Sequence, residues 1–319
     1  MKTHFIGLED SRARVIISDT LQQISHPKVS SISFSFNHDP SSQIPNSDCK
    51  VLILWEPAAV MPWQYQKRNL EKFDLVIPMS IWRAEKLGLT KYAFHPYDYD
   101  PSAFVSPFKN RVRKCVMINS AKFSSGKNSL YGLRRSTSKF LHEKNYDYTL
   151  FGNNWQMSRS MEIRKRGVGI KNSLIAVEEI SIRETFSELF YSYPEFGGSV
   201  DNKFEALSQF QISLVIENES DWVTEKIFDS VVAGTVPLYV GPDLSRRFPR
   251  LEDCVLRADP SPGSIYERLK DLSDEEIQLK KNAINNYMKD ESQEGIKFWS
   301  HSNQWSQVAN IAADFLSGF

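Results

Sequence analysis

The sequence predicts an α/β fold with mainly parallel sheets, and three observations carry that expectation. Short apolar, β-branched runs of strand length recur from one end of the 319 residues to the other. Amphipathic stretches with helical spacing separate them, the order that yields parallel strands joined by crossovers. Apolar residues make up 41% of the chain while Gly and Pro number only 14 and 15, so disordered, collagen-like and coiled-coil classes are excluded.

Taken in order, the runs predict strands at Arg14–Ile17, Ile32–Phe36, Val51–Trp55, Phe73–Ile77, Cys115–Ile118, Tyr148–Phe151, Ile212–Ile216 and Val236–Val240. Helical patterns are clearest at Leu130–Glu143, Glu225–Ala233 and Asp274–Met288, the last opened by Ser273 with Glu276 at capping-box spacing. The stretch Pro101–Lys114 holds Pro101, Pro107 and a basic run before a new strand. It divides the chain into two α/β halves, 1–110 and 111–285, with a cleft between them. Residues 286–319 form a helical tail whose stripe, Trp305, Val308, Ala312 and Phe315, must dock on something.

Lys+Arg and Asp+Glu are 39 each, a balance that advertises no nucleic acid or other polyanion as partner. Cys49, Cys115 and Cys254 are odd in number and far apart, so neither a disulfide framework nor a CxxC metal pair is expected. The N-terminus carries charges throughout and lacks an apolar signal core, and no apolar run approaches bilayer length. A soluble, cytoplasmic protein is the expectation.

The chemistry concentrates in residues 216–242, IENESDWVTEKIFDSVVAGTVPLYVGP. An apolar strand precedes the loop. Ile227, Phe228, Val231 and Val232 mark one face of a short helix, Thr224 is its candidate N-cap, and Gly234 stands where a left-handed cap must end it. A loop leaving the carboxyl end of a parallel strand for a helix N-terminus is where open α/β sheets bind anionic ligands. Lys226 in that first turn opposes the helix dipole, which makes sense if an anion sits before it. The competing reading is an ordinary solvated lysine.

That string resembles the signature of the α-1,3-fucosyltransferases, glycosyltransferase family 10: a strand ending in Glu-Asn, an aromatic-Val/Ile-Thr-Glu-Lys block, then Gly-Thr-Val-Pro-(x)3-Gly. Upstream, VDNKFEALSQFQISLVIEN, NSAKFSSGKNSLYGLRRSTSKF and LILWEPAAVMP resemble further family segments in the same order. The resemblance implies a GT-B fold of two Rossmann-like domains, the first on the acceptor side and the second holding GDP-fucose. It implies inverting transfer of L-fucose to O3 or O4 of a GlcNAc or glucose unit in a glycan, with no cofactor required and a divalent metal at most stimulatory. Glu56 matches the family's base; its alternative is an exposed strand-end glutamate. Arg134 matches the phosphate-binding arginine, and one residue of slippage would give that role to Arg135. Lys226 matches the second phosphate cation, Glu225 the donor-contacting acid and Asn218 the asparagine after the strand. Trp222 stands where the family usually has tyrosine, and both a donor contact through its N–H and a packing role stay open. Lys203 falls on a frequent family lysine of unassigned role.

Weaker signals point elsewhere. Asp98-Tyr99-Asp100 is a DxD of the kind that chelates a metal in other transferases, in a Pro-flanked segment. GKNS at 126–129 lacks the requirements of a P-loop and GVGIKN at 167–172 those of a dinucleotide fingerprint. The six histidines show no ligand spacing. The basic run Arg159, Arg164, Lys165, Arg166 is a solvated face or else a patch facing an acceptor or a peripheral membrane surface. Two rivals to the transferase reading stand: the same fold with another nucleotide sugar, and a non-catalytic nucleotide- or sugar-binding protein.

Overall fold

The structure is a computed structural model that describes residues 1–24, 28–39, 43–98, 100–122, 124, 128–155, 193–290, 292 and 295–318. The chain forms two compact units. The first comprises Met1–Tyr99, Asp221–Glu225 and Glu291–Phe319; the second comprises Asp100–Ser220 and Lys226–Asp290. The basic run at 159–166 and the GVGIKN segment lie outside the described residues, as do Gly126 and Lys127 of GKNS.

In the first unit, strands β1 (Lys2–Ile6), β2 (Ser31–Phe36), β3 (Cys49–Leu54) and β4 (Leu75–Pro78) form a parallel sheet in the order 1-2-3-4. Helix α1 (Ser11–Gln22) follows β1, and the short helices α2 (Lys67–Leu70) and α3 (Ile81–Lys86) flank β4 in sequence. The β-branched run at Arg14–Ile17 is part of α1 and not a strand. Asp10 caps the helix by accepting from the Arg12 and Ala13 amides at 2.9 and 3.3 Å, and Ala13, Ile17 and Leu21 then fall on one buried face. The true first strand is β1, an edge strand whose polar KTHFI pattern hides it.

The second unit holds β5 (Val112–Ile118), helix α4 (Tyr131–Glu143), β6 (Tyr148–Phe151), α5 (Lys203–Ser208), β7 (Phe210–Ile216), α6 (Glu225–Val232, entered from the first unit) and β8 (Val236–Val240). It continues with α7 (Pro249–Asp253), β9 (Leu256–Arg257), α8 (Pro262–Lys270) and α9 (Asp274–Lys289), which Ser273 caps through the Glu276 amide as its spacing predicts. The sheet order is β6-β5-β7-β8-β9, all parallel. β7 and β8 are buried nearly throughout, as expected of strands covered on both faces.

Helix α10 (His301–Ser317) belongs to the first unit. Trp305, Val308, Ala309, Ala312 and Leu316 are buried on it, Phe315 is half-buried, and the helix packs on α1.

Candidate active site

The strand order of the second sheet reverses between β5 and β7. One connection leaves β5 for β6 on one side, and the next returns to β7 on the other. Carboxyl ends at such a reversal open a crevice for ligands. Glu217, Asn218 and Glu219 follow β7 there. The Glu217 amide continues the ladder to the Val240 carbonyl at 3.0 Å, and its fully buried carboxylate accepts from the Tyr239 hydroxyl at 3.1 Å. Burial first, and the Glu217 charge second, push the Tyr239 phenol well above its usual range, so it stays a donor. Gly241 must remain without a side chain, since a Cβ would stand 2.5 Å from that hydroxyl.

The segment before α4 is knitted to this mouth by main-chain bonds. Leu130 donates to the Asn218 carbonyl at 3.1 Å, Ser220 donates to the Asn128 carbonyl at 3.0 Å, and Ser129 bridges Glu219. Arg134 comes off the first turn of that helix and is 1% exposed. Its Nε and Nη2 donate to the Ile216 carbonyl at 3.1 and 2.6 Å, and Nη2 also donates to Asn218 Oδ1 at 2.9 Å. Nη1 lies 3.5 Å from the Ser120 carbonyl at the end of β5, and the guanidinium stacks over Tyr131. An arginine offers donors only, so Asn218 turns Oδ1 towards it and keeps its amide N–H groups as donors for something else. Arg135 takes a different path, donating to the Lys122 carbonyl and, at 3.3 Å, to Tyr131.

Helix α6 starts at Glu225, which is exposed; Lys226 follows, half-buried, with Ser230 Oγ bonded to its carbonyl at 3.1 Å. Gly234 adopts φ +68°, the left-handed cap expected of it, and a Cβ there would stand 2.0 Å from the Val105 carbonyl. Arg111 fastens the same turn through the Ala233 carbonyl, at 2.7 Å, and the Thr235 hydroxyl, at 3.0 Å. Lys203 lies 3.4 Å from Asp229 as an ion pair. The structure thus brings Arg134 to Asn218, while Arg135 is directed elsewhere.

In the first unit Glu56 follows β3 and is half-buried. Its backbone is held at three points: its amide donates to Asn37 Oδ1 at 2.9 Å, and its carbonyl accepts from Gln64 Nε2 at 2.9 Å and the Tyr65 hydroxyl at 2.6 Å. The preceding residue, Trp55, belongs to an aromatic group of the same unit. Trp55 stacks on Trp305 with centroids 5.3 Å apart, and His95 meets Trp55 edge-on at 4.3 Å while its Nε2 lies 2.6 Å from the Trp55 carbonyl. Trp222 belongs to this unit, fully buried in its core and edge-on to His95 at 6.1 Å; its indole N–H finds no acceptor among the described residues. Tyr65, Gln64 and Asn37, which fix Glu56, carry no sequence signal, because their contacts depend on chain folding rather than on local spacing.

Asp98 pairs with Arg12 at 2.6 Å, and Asp100 accepts from the Ser102 amide at 2.8 Å; Tyr99 lies outside the described residues. Among the described residues, no three His, Cys, Asp or Glu side chains gather where they could hold a metal ion.

The fold is that of a two-domain, Rossmann-like α/β protein whose second sheet reverses its strand order where Arg134 meets Asn218. Comparison with a solved structure of TarM agrees on the fold, with a TM-score of 0.50 and 9% identity over 95% of this chain and 58% of that one. That likeness is to the GT-B type of architecture. No protein-family model matches the sequence. The chain is similar to a fucosyltransferase-like protein of Arabidopsis thaliana, 49% identical over 61 residues, which are 18% of this chain and 12% of that protein. A crystal structure of an α1,3-fucosyltransferase aligns with 99% of this chain and 90% of its own at 14% identity and a TM-score of 0.45. No helix among the described residues is long and apolar enough to cross a membrane.

Proposed function

We propose that the chain is an inverting glycosyltransferase that moves L-fucose from GDP-fucose to a hydroxyl of a glycan acceptor. The observation that carries the proposal is the reversal-point constellation: Arg134 clasping Asn218 at the end of β7, inside the same short string whose Thr-Glu-Lys block supplies Lys226. The local identity to a fucosyltransferase-like protein supports the choice of sugar.

In this reading the Glu56 carboxylate takes the proton of the acceptor hydroxyl as that oxygen attacks the anomeric carbon. The C–O bond to the diphosphate breaks, and its electron pair leaves with GDP. A positioned base of this kind contributes about 10²–10⁴-fold. Lys226 and the buried charge of Arg134 (or, in the alternative alignment, Arg135) stabilise the departing diphosphate, which is the work a metal performs elsewhere. Asn218 donates its amide N–H groups to phosphate or ribose oxygens, and Glu225 accepts from sugar hydroxyls.

The test is GDP release from a panel of nucleotide sugars with a panel of glycan acceptors, run with the wild type and Glu56→Gln. The expected result is turnover of GDP-fucose, retained donor binding in the variant, and a kcat lowered by about 10²-fold or more. Turnover of a different nucleotide sugar would overturn the choice of donor. Binding without turnover of any donor would favour a non-catalytic protein, and undiminished transfer by Glu56→Gln would place the base elsewhere.

A further inference from the structure

Glu56 and the Asp221–Glu225 loop are distant in sequence, yet within the first unit both are tied to one set of side chains. The Tyr65 hydroxyl donates to the Glu56 carbonyl at 2.6 Å, and the Arg83 guanidinium lies over the Tyr65 ring, 5.1 Å from its centroid. Arg83 Nη2 then donates to Asp221 Oδ1 at 2.8 Å across 138 residues of sequence. The second carboxylate oxygen of Asp221 meets Lys86 Nζ at 2.7 Å, and its backbone carbonyl accepts from Ser80 Oγ at 2.7 Å.

Arg83 and Lys86 lie on α3, and Ser80 is its N-cap, accepting from the Arg83 amide at 3.2 Å. The chain entering α3 is itself pinned to β3, since the Met79 amide donates to the Leu54 carbonyl at 3.1 Å, two residues before Glu56. Arg83 is 7% exposed and Asp221 3% exposed. A pair stripped of water to that degree gains little net stability over an apolar replacement, and the best-attested use of such pairs is to fix one arrangement. A planar guanidinium suits that use, because Arg83 lies over a ring and pairs with a carboxylate through one N–H at once. Asp221 is followed directly by Trp222, which is sunk in the unit's core, so the loop is anchored at both residues before it reaches Thr224 and Glu225.

We propose that Arg83 is a positioning residue: through Tyr65 it sets the backbone of Glu56, and through Asp221 it sets the loop that ends in Glu225, so that both carboxylates are placed by one side chain of α3. The proposal rests on the transferase reading above. Arg83 touches neither donor nor acceptor in it. A displacement of about 1 Å of a reacting group costs roughly 10²-fold in rate, which is the scale on which such a bracket matters.

The experiment measures GDP release from GDP-fucose, in the presence of the acceptor found by the panel, for the wild type, Tyr65→Phe, Asp221→Asn and Arg83→Met. Tyr65→Phe keeps the ring and removes one bond to the base segment, so kcat falls about 10-fold or more while the donor KM stays within about twofold. Asp221→Asn loosens the donor loop, so the KM for GDP-fucose rises more than kcat falls. Arg83→Met moves both. On a Glu56→Gln background Tyr65→Phe costs nothing further in kcat, because the group it positions is already gone.

A purely structural role would lower the melting temperature without this division and would remain additive with Glu56→Gln; that outcome overturns the proposal. So does a folded Arg83→Met with wild-type kcat and KM. If Arg83→Met does not fold, Tyr65→Phe decides, and full kcat in that variant overturns the proposal. A wild type that turns over no nucleotide sugar overturns the transferase reading and this proposal together, whereas an active wild type with unaffected variants overturns this proposal alone.

Discussion

Asn218 shows how one side chain acquires a direction. The sequence places it after a strand; only the fold shows that its amide oxygen is taken by Arg134 at 2.9 Å and that its N–H groups are therefore the ones left to work. His38, after β2, shows the opposite case, a polar side chain given nothing to do. It is 2% exposed, neither ring nitrogen finds a partner among the described residues, and Phe73 lies edge-on at 5.3 Å. Burial, and then the Lys72 charge, hold its pKa below the ordinary 6.5, with Asp39 opposing. The sign follows: the unfolded chain binds a proton at a pH where the folded chain does not, so stability is full above about 6.5 and falls as pH drops towards the lower folded value. Melting temperatures measured from pH 7.5 down to 5 should decline less for His38→Phe than for the wild type. Parallel curves would show that His38 contributes nothing to the acid sensitivity.

At the level of elements, much of the fold is legible because buried parallel strands announce themselves. The runs at Ile32–Phe36, Val51–Trp55, Phe73–Ile77, Cys115–Ile118, Tyr148–Phe151, Ile212–Ile216 and Val236–Val240 each overlap an observed strand. The failures have physical causes. Val15 and its β-branched neighbours look like a strand until Asp10 caps the helix and tertiary packing selects the stripe Ala13, Ile17, Leu21. Among the described residues β1 pairs with β2 alone, at the edge of its sheet, so its sequence need not be continuously apolar. The candidate site divides in the same way. Asn218, Glu225 and Lys226 share one local string and could be read from it, whereas the Arg83–Asp221 pair joins residues 138 apart and no local pattern encodes it. The αL cap at Gly234 is a local signal with a sharp consequence. Gly234→Ala places a Cβ 2.0 Å from the Val105 carbonyl at φ +68°, so it should destabilise the protein by about 1–3 kcal/mol or more. An unchanged denaturation midpoint would contradict that account of the turn.

For the whole molecule, balanced charge means that attraction of an anionic ligand must come from placed groups and not from a bulk field. The cysteines do not compete for that role: Cys49, Cys115 and Cys254 are buried and unpaired, and burial pushes the first two thiols up to about 12 and the third higher still. The chain also passes from the second unit into the first for Asp221–Glu225 and back at Lys226, so a single motif contributes residues to both units. The proposal that this motif receives a diphosphate is tested most directly by calorimetric titration of GDP and GMP into the wild type and Lys226→Ala. The account predicts that the wild type prefers GDP to GMP and that the variant loses about 10-fold or more in GDP affinity, roughly 1.4 kcal/mol, with GMP little changed. Equal GDP affinity in the two proteins would contradict it.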